Sequence, residues 1–451
     1  FLAHRVGYFT NSLFNINKLI VGTIINKQNL GLISRGTKAM DIAQPLSSVP
    51  RGSTNSESLF GGIESTDGYS TTNIQVDNVD EADVIKTDGK YTYYINRSKL
   101  YILDTYPPEQ MNIVYEYDFS NEKLYPLEMF LYEDRIALIL SDAQYYNSVN
   151  RYVRNSNISV VKTYNISNPE KPILERNFKL DYPYLTSRMI DNHLYIVASA
   201  RIYGDKSMPN YLDSAIGDLK KDIDYKDLFL MRGNASDEYT QINVVAALPI
   251  DNPYSKAQVK AFLGGGGETV YVSTEHIYIV ETKSNAITET SMGKFINSLI
   301  DEDYRGMDFL EYGTSIYRVK IQDGDIGDFD SAFVPGVVHN QFSMDEYDGY
   351  FRITTQKGRW SFASSNVYVL DPDMNVCGSL EGLAPEESIY ASRFMGDRLY
   401  LVTFKAVDPL FVISLKDPKN PTVLGELKIP GYSEYLHPLD ENHIIGFGKD
   451  T

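Results

Sequence analysis

The carboxylates Asp77, Asp80, Glu81, Asp83 and Asp88 crowd into one short stretch. Hard oxygen ligands at such close spacing suit Ca2+, and Asp77, Asp80, Glu81 and Asp83 are the candidate ligands. The spacing is not that of an EF-hand loop, which needs acids at alternate positions and a glutamate at the twelfth. The same residues serve equally well as a solvated approach to the first structural unit. Asp323-Gly-Asp-Ile-Gly-Asp-Phe-Asp330 is a second acidic, Gly-rich run; Asp-Gly at a hairpin turn accounts for it without a metal. No cofactor is required by any motif, and Ca2+ is the cation the sequence admits.

Neutral imidazole is a common metal ligand, yet His193, His276 and His443 recur at one position of a repeat, where Lys90, Arg135 and Arg398 stand in other copies. A turn role is expected for them, and equivalent positions in separate copies lie too far apart to share an ion. His339 and His437 fall near the start of later copies and would face a central channel. For acyl transfer there is no Gly-x-Ser-x-Gly, since Gly431-Tyr-Ser433 lacks the second glycine. A triad gathered from separate units would leave no local trace. Gly264 to Gly267 lacks the Lys-Ser/Thr of a phosphate loop. Four acceptor sequons start at Asn96, Asn157, Asn165 and Asn234; they matter only in a host that glycosylates exported proteins.

The elements that hold these side chains repeat. Thr87-Asp-Gly-Lys-Tyr-Thr-Tyr-Tyr94 has the pattern of turn then hydrophobic–Tyr–hydrophobic strand, and it returns at Tyr132–Ile139, Ile190–Val197, Ser273–Val280, Glu346–Ile353, Met395–Val402 and Asp440–Phe447. A second half-motif, a strand ended by Asn-Pro or Asp-Pro, recurs at Pro169, Pro253, Pro372 and Pro418; proline fixes φ and cannot sit inside a central strand. Each unit then holds four antiparallel strands, A to D, at the spacing of about 40–50 residues typical of a propeller blade. No helical segments alternate with the strands, which argues against α/β folds. The expected fold is all-β, a β-propeller of four-stranded antiparallel blades, seven in number with eight as the alternative, and with helical insertions in the B–C loops.

Three units are overlong between strands B and C: Ser141–Asn157, Arg201–Thr240 and Glu281–Gly313. Short helices are predicted at Asn210–Lys221 and Met292–Ile300. Insertions gathered on one face of a repeat protein often mark its binding face. Residues 1–35 offer strands near Val6 and Leu19, residues 36–70 read as a flexible Ser/Gly-rich linker, and 71–451 as the propeller. The seventh unit reaches only two strands; residues 1–35 or residues past Thr451 would complete it.

The chain has 451 residues, a net charge of −18 and one cysteine, Cys377. So acidic a surface repels phosphate backbones, so no nucleic-acid partner is expected, and no intrachain disulfide can form. No apolar run approaches the roughly 20 residues of a membrane span; a signal peptide or membrane anchor would precede Phe1.

The run Thr71-Thr-Asn-Ile-Gln-Val-Asp-Asn-Val-Asp-Glu-Ala-Asp-Val-Ile-Lys-Thr-Asp-Gly89 resembles the signature of a family of secreted prokaryotic proteins with a C-terminal β-propeller domain, distantly related to WD-type repeats. Gly431–Thr451 resembles a second stretch of that family, and the likeness covers about residues 70–451. It implies an extracellular or cell-envelope location and brings no catalytic residues; the family's chain continues past the point matching Thr451. Taken together, a non-catalytic protein- or glycan-binding or scaffold module acting through the B–C insertion face is expected. The alternative is a metal-assisted hydrolase or lyase with its site at the channel mouth. Oligomeric state is left open.

Overall fold

The computed structural model describes residues 74–142, 145–146, 152–153, 158–201, 208–217, 219–231, 241–264, 267, 269–286, 310–358, 363–404, 408–429, 432–440 and 442–449. The expected N-terminal strands, the linker at 36–70 and the helix at Met292–Ile300 lie outside them.

Blade 1 runs Ile85–Thr87, Tyr91–Asn96, Lys99–Asp104 and Asn112–Asp118, each strand antiparallel to the next. Blade 2 follows with Tyr125–Tyr132, Arg135–Ser141, Ser159–Asn165 and Ile173–Leu180. Blade 3 is Tyr184–Ile190, His193–Arg201, Gln241–Pro249 and Gln258–Leu263. Blade 4 is Thr269–Val272, His276–Ala286, Leu310–Gln322 and Asp325–Pro335. Met344–Tyr347, Tyr350–Lys357, Ser364–Leu370 and Val376–Leu383 make blade 5, with Val337–Val338 as a further short strand against its B strand. Blade 6 is Ser388–Met395, Arg398–Phe404, Asp408–Ser414 and Thr422–Ile429. Blade 7 contributes the hairpin Tyr432–Asp440 with His443–Lys449.

The repeat seen in the sequence is a repeat of hydrogen bonds. Tyr132 pairs with Arg135, Ile190 with His193, Tyr347 with Tyr350, Met395 with Arg398 and Asp440 with His443. Each leaves a two-residue A–B turn at the same place. Four of the C–D turns share one device. A carboxylate or amide oxygen of Asn168, Asn252, Asp371 and Asp417 accepts from the backbone N–H two residues on, at 3.0–3.2 Å, and the following proline cannot extend the strand. Asp323-Gly324 closes the C–D hairpin of blade 4 with both residues at positive φ, the turn chemistry expected of that acidic run.

Alternation along the strands buries apolar side chains between neighbouring blades. Ile196, Val244 and Ala246 of blade 3 join Phe130, Ile139 and Phe178 of blade 2 in one cluster, and Tyr278 and Val280 of blade 4 join Phe351 and Ile353 of blade 5 in another. No blade buries its faces alone, which is why the units stack.

One expectation fails. Asn210–Lys221 is not a helix: Asn210–Asp213 is a strand, Ser214–Ile216 a single 3-10 turn, and Lys221–Asp222 a second strand. The apolar spacing there suits a helix, but the outer strand of blade 2 offers an unpaired edge, and Phe178–Leu180 pairs with Tyr211–Asp213. Backbone hydrogen bonds to that edge, with Tyr211 and Asp213 buried, outweigh weak helix propensity. Farther on, Leu228–Leu230 pairs in parallel with the outer strand of blade 3. The B–C insertion of blade 3 therefore wraps the rim of blades 2 and 3.

Candidate functional site

Three groupings on this frame bring chemistry-bearing side chains together: the axis, the seam between blades 4 and 5, and the rim of blades 2 and 3.

The acidic run lies at the axis. Val79–Glu81 pairs antiparallel with the A strand of blade 3, Glu81 opposite Arg188. Asp83 forms an isolated bridge with Met129 in the A strand of blade 2. Gln75 Nε2 donates to the carbonyls of Gln341 (3.0 Å) and Met344 (3.3 Å) where blade 5 begins. A segment touching the A strands of three blades can only run where those strands converge. There Lys86 Nζ donates to Asp80 Oδ1 at 2.8 Å and to the Glu81 carbonyl at 2.7 Å, and Arg188 stands 3.4 Å from Glu81. Asp83 Oδ1 accepts from the Val84 N–H, and Asp77 is exposed in the turn before. Asp88 caps the first A–B turn, accepting from the Lys90 and Tyr91 N–H groups. Asp80 thus answers the nearby buried Lys86, and Glu81 answers Arg188 from the A strand of blade 3, a partner that spacing along the chain does not reveal.

Other side chains near the A strands carry charge too. Arg352, on the B strand of blade 5, is bound to Asp345 on its A strand and lies over the rings of Tyr347 and Phe394. Arg393 lies over Phe342, 5.2 Å from the ring centroid, and burial lowers its pKa. Burial pushes Glu128 above the ordinary carboxylate range, against hydrogen bonds from Tyr184 and Ser187 and the charge of Arg188.

At the seam, the A–B turn of blade 4 meets the A strand of blade 5. His276 Nδ1 lies 2.9 and 3.1 Å from the two carboxylate oxygens of Glu346, and Ser273 Oγ donates to Glu346 Oε2 at 2.5 Å. Burial would raise Glu346, but the hydrogen bonds from His276 and Ser273 prevail and hold it below its usual value. Ligand atoms of Glu275, His276 and Glu346 all fall within 4.8 Å of one another, the one such group of three among the described residues. The histidines of equivalent turns indeed stand apart. His443 meets Asp440 on an exposed turn, and His193 packs against Gly324 of blade 4. His437 lies in the A strand of blade 7, its pKa lowered by burial and then by Arg393. Sequence reasoning missed Glu346 as a partner because the neighbour comes from the next blade's A strand; the Ser-x-x-His turn was its only local sign.

The rim grouping surrounds a cavity of about 250 Å3 between the insertion and blade 3, lined by Tyr211, Lys221, Asp222, Ile223, Asp224, Asp227 and residues Lys256–Val259. It rests on a buried clasp. Arg176 Nε and Nη2 donate to Asp213 Oδ1 (3.0 Å) and Oδ2 (2.8 Å), Nη1 reaches the Pro249 carbonyl, and Asp213 also accepts from the Ala215 and Ala257 N–H groups. Asp222, Asp224 and Lys256 are exposed at the mouth, and beside them in sequence Tyr225 and Tyr254 are 49% and 78% exposed.

Residues 69–451 match a family model described as "Beta propeller domain". An uncharacterized protein of Methanocaldococcus jannaschii is 30% identical, over 85% of this chain and 65% of its own length; an uncharacterized protein of Archaeoglobus fulgidus is 27% identical, over 85% and 67%. The chain thus spans about two thirds of the curated relatives it matches. Among solved structures it is similar to one of two prolyl endopeptidases (11% identity, 79% of this chain and 43% of that one, TM-score 0.37) and to the C-terminal WD40 domain of Sif2 (9%, 81% and 93%, TM-score 0.28). No helix among the described residues is long and apolar enough to cross a membrane.

Proposed function

The chain belongs to the beta propeller domain family, and from that premise we propose that it is a non-catalytic binding module of the extracellular space or cell envelope that captures a glycan at the rim of blades 2 and 3. The observation that carries this reading is the cavity of about 250 Å3 walled by the blade 3 insertion. Its lining interleaves carboxylates and ammonium groups at hydrogen-bonding range of a small polar ligand, as a polyhydroxylated ring requires. Tyr225 and Tyr254 supply exposed aromatic faces nearby. The extracellular setting rests on the likeness of the Thr71–Gly89 run to secreted proteins. A protein partner is the second reading, favoured by Ile216 and Leu219, 42% and 83% exposed on the same insertion.

Deleting 201–240 would strand Arg176 without Asp213, so the test uses surface variants. The wild-type chain and Asp224→Asn/Asp227→Asn are screened side by side on immobilised glycans and on a peptide array. Capture of a glycan by the wild type, lost in the double variant with an unchanged melting curve, supports the proposal. Equal capture by both, or capture of peptides alone, refutes it.

A further inference from the structure

We propose that the seam between blades 4 and 5 is a binding site for a divalent metal of the Zn2+ type, with Glu275, His276 and Glu346 as its three protein ligands. This site is separate from the rim cavity and does not depend on the reading of that cavity.

The donor set is one imidazole and two carboxylates. Imidazole with carboxylate suits Zn2+ and its neighbours among the transition metals, whereas Ca2+ takes oxygen ligands only. Three protein ligands with the fourth position left to water is the common form of an open zinc site. Tetrahedral zinc with bonds of about 2.0–2.1 Å needs ligand atoms roughly 3.3 Å apart. The His276–Glu346 separations of 2.9 and 3.1 Å are within a few tenths of an ångström of that. Glu275, exposed at the turn, is free to close in by rotation of its side chain.

The ligands stand on rigid backbone. Ser273 N–H donates to the His276 carbonyl at 2.9 Å, and the His276 N–H donates to Ser273 Oγ at 3.0 Å, so the turn presenting Glu275 and His276 is pinned at both ends. The Glu346 N–H donates to the Tyr271 hydroxyl at 2.9 Å, which locks the blade 5 strand to blade 4. Ser273 Oγ holds one carboxylate oxygen of Glu346, the outer-shell support that metal-ligating carboxylates need. In the adjoining strand Lys320 stands opposite His276 and Arg318 opposite Tyr278; Arg318 is committed to Asp330 at 2.8 Å and to the Pro372 carbonyl at 2.7 Å. Among the described residues no lysine or arginine forms an ion pair with Glu275 or Glu346, and a divalent ion would neutralise both while joining two blades.

The test uses the untagged full chain, stripped with chelator, titrated by calorimetry with Zn2+, Mn2+ and Ca2+, and followed by thermal unfolding. The expected result is saturable Zn2+ binding at one ion per chain, a higher melting temperature with Zn2+, and at least tenfold weaker binding in Glu275→Gln and His276→Ala. Glu275→Gln alters an exposed residue, so its fold is retained and its result stands even if His276→Ala unfolds. No saturable Zn2+ binding, a Ca2+ affinity equal to that for Zn2+, or Zn2+ binding unchanged in Glu275→Gln would overturn the proposal.

Discussion

Replacing Asp213 by Ala tests whether the insertion is a structural part of the rim. Arg176 and Asp213 are both 0% exposed and joined by two parallel hydrogen bonds. Removing the carboxylate leaves a guanidinium in the core with only the Pro249 carbonyl as acceptor. It also orphans the Ala257 N–H at the start of the blade 3 outer strand. Breaking one side of a buried pair costs about 3–5 kcal/mol because the remaining charge is uncompensated. At about 2 °C per kcal/mol for a large domain, the melting temperature should fall by about 6–10 °C. Scanning calorimetry and urea unfolding measure this. The double variant Arg176→Met/Asp213→Leu, which removes the stranded charge, should recover most of the loss. A fall below about 1 kcal/mol in Asp213→Ala, the range of exposed pairs, would refute the claim that this clasp is buried and joins the two blades.

Four further outcomes are expected. Glu128 has a raised folded-state pKa, so its contribution is full below its unfolded value and is lost as pH rises through the folded one; Glu128→Gln should gain stability relative to the wild type as pH rises above the ordinary carboxylate range, and parallel pH profiles would contradict this. Gly378→Ala would put a Cβ 2.1 Å from the Pro418 carbonyl of blade 6, a backbone clash costing about 1–3 kcal/mol, read as a lower urea midpoint. Gly324→Ala combines positive φ with a Cβ 2.3 Å from the His193 ring and should destabilise by a similar amount, whereas Gly425→Ala, with open space around it, should fold as stably as the wild type within about 0.5 kcal/mol.

What the sequence revealed was whatever a turn decides. Asn168, Asn252, Asp371 and Asp417 precede proline in the chain and cap their own turns in space, so the C–D hairpins inside four blades follow from short-range chemistry. Partners chosen across the ring left no such mark. Glu81 is met by Arg188 from the A strand of blade 3, a neighbour that the spacing of the acidic run does not show. Asn210–Lys221 misleads for want of such a mark. Tyr211, Leu212, Ala215, Ile216 and Leu219 fall at helical spacing, yet the free edge of Phe178–Leu180 and the need of Arg176 for Asp213 decide the conformation. Leu219, which a helix would have buried, is 83% exposed. The Glu275–His276–Glu346 group escaped notice because equivalent residues of different blades do lie apart, while a turn of one blade and the first strand of the next do not.

Amide hydrogen exchange resolved along the chain tests the central claim most directly, since the proposed binding cavity exists only if the blade 3 insertion is built into the rim. The Tyr211–Asp213 and Leu228–Leu230 amides should exchange as slowly as their partners in Ile173–Leu180 and Gln258–Leu263. Exchange of those amides at the rate of an open loop, with the two outer strands still protected, would contradict the account.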